Sequence, residues 1–174
     1  MRYNVSQLIK SPTGTVRQYK LHEDIGDLDP GISPLSTLDG DVKLVRTADG
    51  ILASGDLHAT VELSCSRCLD LFAKPLRFGI EEEFKPTIDI VTGARMPMTE
   101  DDEPATMIDA HHMLDLTEIV RQNLLLAQPM YPVCRSKCRG LCPNCGQNWN
   151  EAPCDCTLEE IDPRLAALKQ LLDE

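Results

Sequence analysis

From Ile51 to Leu63 every odd position carries an apolar or small residue, in the order Ile, Ala, Gly, Leu, Ala, Val, Leu. The even positions between them are mostly polar. A period of two marks a strand with one face in a core. After the short stretch "CSRCLD" the alternation resumes in "LFAKPLRFGIEEEF", where Phe72, Leu76, Phe78, Ile80 and Phe84 share one parity. Upstream, "DVKLVRT" joins the first run through Asp49-Gly50, a two-residue hairpin signal. These runs predict a three-stranded antiparallel meander whose second turn carries Cys65 and Cys68. Pro75 lies inside the third strand and moves it towards a sheet edge or a bulge, because proline cannot donate to a ladder.

The pattern then breaks. Residues 86–112 are rich in Pro, Thr and acids and show no period, so they predict a long loop, partly disordered. A helix is predicted over about 115–128. Asp115 is its N-cap and Glu118 follows three residues on; Leu116, Ile119, Val120, Leu124 and Ala127 have helical spacing, and Pro129 ends the run. Asp162-Pro163 starts a short C-terminal helix with Leu165, Leu168, Leu171 and Leu172 on one face. The resulting fold class is α+β: an antiparallel β-meander or barrel-like sheet, one long helix, a Cys-rich zinc-binding loop and a short C-terminal helix. Residues 1–128 form the β-rich domain with its acidic loop and helix. Residues 129–174 form the Cys-rich segment and terminal helix, packed on the first part.

Composition changes this picture in two ways. Aromatics are 4% of the 174 residues, so Leu, Val, Ile and Ala must build the core. The net charge is −11. Much of it falls in residues 81–118, where eleven acids face two bases. Such a surface repels phosphate backbones and suits a basic protein; equally, acids of this kind simply solvate a loop. No run approaches the ~20 apolar residues of a membrane span, and the N-terminal residues do not read as a targeting segment. The expected location is the cytoplasm, where thiols stay reduced and dense cysteines read as metal ligands or redox groups.

Six of the eight cysteines lie within "CRSKCRGLCPNCGQNWNEAPCDC", residues 134–156. In "CPNCG" the backbone can aim N–H groups at two thiolates while Gly146 turns the chain, which is the knuckle of zinc ribbons. A closed structural zinc site takes four sulfurs, so each knuckle needs a second pair. The preferred grouping joins Cys142 and Cys145 to Cys154 and Cys156, and Cys134 and Cys138 to Cys65 and Cys68. The alternative sets Cys65 and Cys68 against the Cys142–Cys145 knuckle. Either implies one or two structural Zn²⁺ ions, with no open position for catalysis. The rival chemistry is a redox pair at Cys65 and Cys68. Their β-turn, however, lacks the helix N-terminus that usually lowers a thiol pKa.

Arg135, Lys137 and Arg139 run against the overall charge. If zinc orders the loop, they project from a rigid knob beside Trp149, a small basic-aromatic patch of the kind that contacts phosphate and bases. Their other reading is that the bases balance metal-thiolate charge and Trp149 is core. The chain has no phosphate-cradling glycine loop, no serine nucleophile motif and no calcium-loop spacing.

The order "NVSQLIKSPTGTVRQY", "CSRCL", "LDLTEIVRQNLLLAQPMYPVC", "CRGLCPNCGQNWN", "CDC" and "DPRLAALKQLL" resembles the YceD family of large ribosomal RNA subunit accumulation proteins, found in bacteria and plastids. The resemblance covers nearly the whole chain. It implies a non-enzymatic ribosome biogenesis factor supporting 23S rRNA processing and large-subunit accumulation, with a large-subunit ribosomal protein or precursor rRNA as partner and no membrane or small-molecule substrate. The function from another class is a thiol redox protein or sensor using Cys65 and Cys68.

Overall fold

The computed structural model describes residues 1–97 and 103–156. The C-terminal helix expected from Asp162 lies outside the described residues, as do Glu100, Asp101 and Asp102 of the acidic run.

In chain order the elements are β1 (Arg2–Asn4), α1 (Ser6–Ile9), β2 (Val16–Glu23), β3 (Leu38–Arg46), β4 (Ile51–Ser64), β5 (Leu71–Pro86), a 3₁₀ turn (Pro104–Thr106), β6 (Met107–Ile108), β7 (Met113–Asp115) and α2 (Thr117–Leu126). The main sheet has the order β2-β3-β4-β5-β6, and β1 pairs with β7 in a separate ribbon. The first four strands of the main sheet are antiparallel. β6 runs parallel to the end of β5, through Lys85 and Pro86.

The alternation read from the sequence is the alternation of burial. Ile51, Ala53, Leu57, Ala59 and Val61 of β4 are buried, as are Leu76, Ile80 and Phe84 of β5. This face is covered by Leu8 and Ile9 of α1, by Ile119, Val120 and Leu124 of α2, and by Ile25, Ile32, Ile108 and Leu114, all in one apolar cluster.

Three expectations are corrected. The sheet is not barrel-like: β2 and β6 stand at opposite edges and do not pair, and β6 is too short to lead a closure. The helix is not long, at 10 residues. Met113–Asp115 pairs with β1 and postpones its start, and the Gln128 N–H bonds back to the Leu125 carbonyl in a tightening last turn before Pro129. The N-cap is Leu116, not Asp115, and it makes no side-chain cap bond. Asp115 stands one residue earlier, its carboxylate accepting the Thr117 N–H at 3.0 Å, and Glu118 accepts from Arg121 and Gln122. Third, the described part of 86–112 is folded. The Met96 N–H bonds to the Thr87 carbonyl, the Thr87 N–H to Ile108, and the Asp89 carboxylate accepts two N–H groups of its own turn.

Two strand details shape the hairpins. Thr60 faces Pro75 in the ladder, but Thr60 spends its N–H on Ser36 Oγ and its carbonyl on the Leu35 N–H. The pair is therefore one whose backbone groups point away from each other, so the Pro75 nitrogen faces the open edge of β5 and no ladder bond is lost. At the β3–β4 hairpin the Thr47 N–H bonds to the Gly50 carbonyl at 3.0 Å. Ala48 and Asp49 thus form the tip, one residue earlier than the Asp49-Gly50 reading.

Candidate metal centres

The second turn of the meander is built to present sulfur. Ser64 of β4 pairs with Leu71 of β5. Between them the Cys65 N–H bonds to the Asp70 carbonyl at 2.9 Å, and the Leu69 N–H returns to the Cys65 carbonyl at 2.9 Å. Residues 142–146 repeat this closure: the Gly146 N–H reaches the Cys142 carbonyl at 2.9 Å. Gly146 has φ 74° and Leu69 has φ 63°. The two knuckles therefore share one backbone geometry, C-x-x-C followed by a left-handed residue, and only the second uses glycine there. A left-handed non-glycine residue costs roughly 1–2 kcal/mol. Leu69 is 64% exposed, so its side chain recovers little of that by packing. Leu69→Gly is expected to stabilise the protein by roughly 0.5 kcal/mol after glycine's own entropy cost, and Leu69→Val to destabilise it. Chemical denaturation of the three proteins checks the order; a Leu69→Gly variant weaker than the parent would refute it.

The cysteine sulfurs gather in two groups of four: Cys65, Cys68, Cys134 and Cys138, and Cys142, Cys145, Cys154 and Cys156. Within each group all Sγ atoms lie within 4.8 Å of one another. This is the preferred grouping; the Cys142–Cys145 knuckle faces Cys154 and Cys156, not Cys65 and Cys68. In the first group Cys65 Sγ is 3.8 Å from Cys138 Sγ, and Cys68 Sγ is 3.7 Å from Cys134 Sγ. These are far beyond the ~2.05 Å of a disulfide. They match the ~3.8 Å edge of a tetrahedron with metal–sulfur bonds of ~2.3 Å. Each group can hold a metal ion.

The first group is the more enclosed. Cys65, Cys68 and Cys138 are buried and pack with Phe72, Val133 and Leu141. Its two halves are sewn together by backbone: the Ser66 N–H bonds to Pro132, and the Leu141 N–H to Arg67. The Arg67 guanidinium donates to the Cys138 carbonyl at 3.0 Å. Burial opposes ionisation of Cys65, yet the N–H groups of Cys68, Cys134 and Arg67 overcome it and lower its thiol to about 6. The turn itself thus supplies what a helix N-terminus would, contrary to the sequence reading. At Cys68 the Asp70 N–H favours the thiolate, but burial and hydrogen bonds to Asp70, Cys65 and Cys138 outweigh it and push the group up. Burial likewise opposes the Cys138 thiolate, and bonds from the Asn150 amide and the Gly140 N–H carry the group down.

The second group is more open. Cys142 is buried, Cys154 and Cys156 are half-buried, and Cys145 is exposed. N–H groups of Cys145 and Asn144 lower Cys142 to about 6, while a hydrogen bond with Cys145 and burial push Cys156 up to about 12. In both groups some thiols are pushed towards the thiolate and others held back, which a cation among them would resolve by releasing the remaining protons.

Arg135, Lys137 and Arg139 are exposed. Trp149 is half-buried, and its indole N–H donates to Cys154 Sγ at 3.2 Å; it is part of the second group's surroundings. Asn150 was not legible as a site residue, yet its side-chain amide donates to Cys138 Sγ at 3.3 Å. The acids of residues 81–118 are partly in structural use. Asp89 and Asp109 close their own turns, Asp115 accepts the Thr117 N–H at the start of α2, and Arg121 with Gln122 holds Glu118 down at about 2. Among the described residues no helix is long and apolar enough to cross a membrane.

A family model described as large ribosomal RNA subunit accumulation protein YceD matches residues 53–172, which include all eight cysteines. An uncharacterized protein of Mycobacterium tuberculosis H37Rv is 32% identical over 135 residues, 78% of this chain and 62% of its own length. The chain therefore spans less than two thirds of that relative. YlbN of Bacillus subtilis, also uncharacterized, is 31% identical over 137 residues, 77% of this chain and 71% of its own. The chloroplastic large ribosomal RNA subunit accumulation protein YCED homolog 1 of Arabidopsis thaliana is 33% identical over 61 residues, 35% of this chain and 19% of its own. No solved structure matches.

Proposed function

We propose that this chain, which belongs to the YceD family, is a non-enzymatic, cytoplasmic factor that supports accumulation of the large ribosomal subunit through 23S rRNA processing, and that its two sulfur groups hold structural Zn²⁺. The family match over residues 53–172 carries the first part. The donor chemistry supports the second: four thiolates at tetrahedral spacing suit zinc, and a closed set of four leaves no position for a reacting water. In this reading residues 1–128 are the β-rich body, and the segment from residue 129 is stapled to it through Cys65 and Cys68. Precursor rRNA phosphates meet Arg135, Lys137 and Arg139 on the knob that the metal orders. Trp149 has its indole N–H committed to sulfur and keeps only a ring face for a base. A basic large-subunit protein is the other partner consistent with the charge, through the exposed Glu81, Glu82 and Glu83.

The protein is expected to co-sediment with large-subunit precursors in a sucrose gradient, and its depletion to lower the large-subunit peak relative to the small. Absence from every precursor fraction, with subunit levels unchanged, would overturn the assignment. The low Cys65 pKa favours a second reading, a thiol redox pair at Cys65 and Cys68. In that case both thiols react with thiol reagents in the native protein, before any chelator is added, whereas metal-held thiolates stay protected.

A further inference from the structure

The two sulfur groups are built on very different foundations. The first draws Cys65 and Cys68 from the turn between the two longest strands, and its ligand segments are held by backbone bonds on both sides. To open it, the chain around Pro132 and Leu141 must come away from the sheet. The second lies wholly within residues 142–156. No strand of the main sheet contributes to it. Cys154 and Cys156 stand on an arm whose Glu151, Ala152 and Pro153 are exposed, and Cys145 is exposed as well. Local opening follows local support, so the second group opens without disturbing the core.

The groups are nevertheless in contact through three consecutive residues. The Asn148 amide donates to the Asp70 carboxylate beside the first knuckle, at 3.0 Å. The Trp149 N–H bonds to the Gly140 carbonyl, and its indole to Cys154 Sγ. The Asn150 amide donates to Cys138 Sγ of the first group, while its Oδ1 accepts the Arg139 N–H at 2.9 Å. One side of this tripeptide reads the second group, and the other side positions the first group and Arg139.

We propose that the second group is an exchangeable metal site whose occupancy fixes Trp149 and, through Asn150, the neighbouring Arg139, while the first group is a permanent staple. The inference rests on the proposal that both groups hold metal. It adds regulation: the shape of the cysteine-rich end follows the supply of a thiophilic divalent cation such as Zn²⁺, and the sheet does not. Trp149 is the chain's one tryptophan, so its fluorescence reports on this group directly.

The test uses the full chain purified with zinc. Total zinc is measured, then its release to a coloured chelator in excess, with tryptophan fluorescence followed in parallel. Two zincs per chain are expected. One should leave about ten-fold or more faster than the other, with the fluorescence change confined to the fast phase and far-UV circular dichroism unchanged through it. Cys145→Ser should abolish the fast phase and keep the slow one. Two zincs released in a single phase, or a fluorescence change that follows the slow phase, would overturn this inference and leave the metal reading intact. Fewer than two zincs per chain would overturn both.

Discussion

On the proposed two-zinc reading, replacing Cys65 with serine is expected to remove one ion and to lower the thermal midpoint by on the order of 10 °C. Cys65 is fully buried, and its sulfur is the hub of the first group. It accepts the N–H groups of Arg67 and Cys134 and lies 3.8 Å from Cys138 Sγ. Serine offers a harder, shorter ligand to a soft site, so the metal is lost or held weakly. Once it goes, two buried thiols and a half-buried one face one another, and only hydrogen bonds such as Leu141 N–H to Arg67 and Asn148 to Asp70 still tie the segment after Pro132 to the turn. Binding free energy at such a site is folding free energy. Metal analysis and a circular-dichroism melt measure the two parts. A variant that keeps both zincs and melts with the parent would remove the staple from the account of this fold. Cys145→Ser is the matched comparison; its exposed sulfur supports no part of the sheet, so its midpoint should fall much less.

Gly50→Ala is expected to cost about 3 kcal/mol, a fall of ~6–12 °C in midpoint at the sensitivity of a chain this size. A Cβ on Gly50 would overlap the carbonyl oxygen of Phe84 and lie 3.0 Å from its carbonyl carbon. Both are backbone atoms of β5, directly beside the pairing of Ile51 with Phe84. No rotamer relieves such an overlap; the end of β5 must shift, and with it the fully buried Phe84 ring. The glycine here answers to a close approach of backbone. A thermal melt and a urea titration check the figure. A loss under ~1 kcal/mol would mean that the hairpin yields freely at this point.

The same glycine shows where sequence reading succeeds and stops. "DG" between alternating runs located the hairpin, because the period of two on either side fixes which residues must share a face. It misplaced the tip by one residue, because the constraint on Gly50 comes from Phe84, more than thirty residues away. The strands β4 and β5 were legible for the same reason that they are stable: one apolar face each. β2 was not, because its inward positions include Arg17, and Tyr19 is only half-buried. The cysteine groups were legible from knuckle spacing, which is a local property. The choice between two groupings was not, since it depends on where the segment after Pro129 docks. Leu69 carries no signal at all; only the structure shows that it stands where the other knuckle has glycine. Asn150 was equally hidden, an ordinary amide whose importance comes from lying between two sets of sulfurs. In the acidic run, composition shows only charge; that Asp89 and Asp109 close their own turns and that Glu118 pairs with Arg121 is seen only in the structure.

The orientation of Pro75 has a bearing on how the molecule behaves among its own copies. Among the described residues, no strand but β6 pairs with the outer side of β5, and that only briefly, which leaves most of its ladder as a template on which another chain could add itself. The proline nitrogen interrupts that row of donors from the outward side, where it costs the native sheet nothing. Glu81, Glu82 and Glu83 follow further along, three like charges that an incoming copy of the same strand would meet with its own. The long hairpin that carries the first sulfur group can therefore stand at the margin of the fold without becoming the seed of a fibre, and crowding the solution should raise its viscosity before it raises its sheet content.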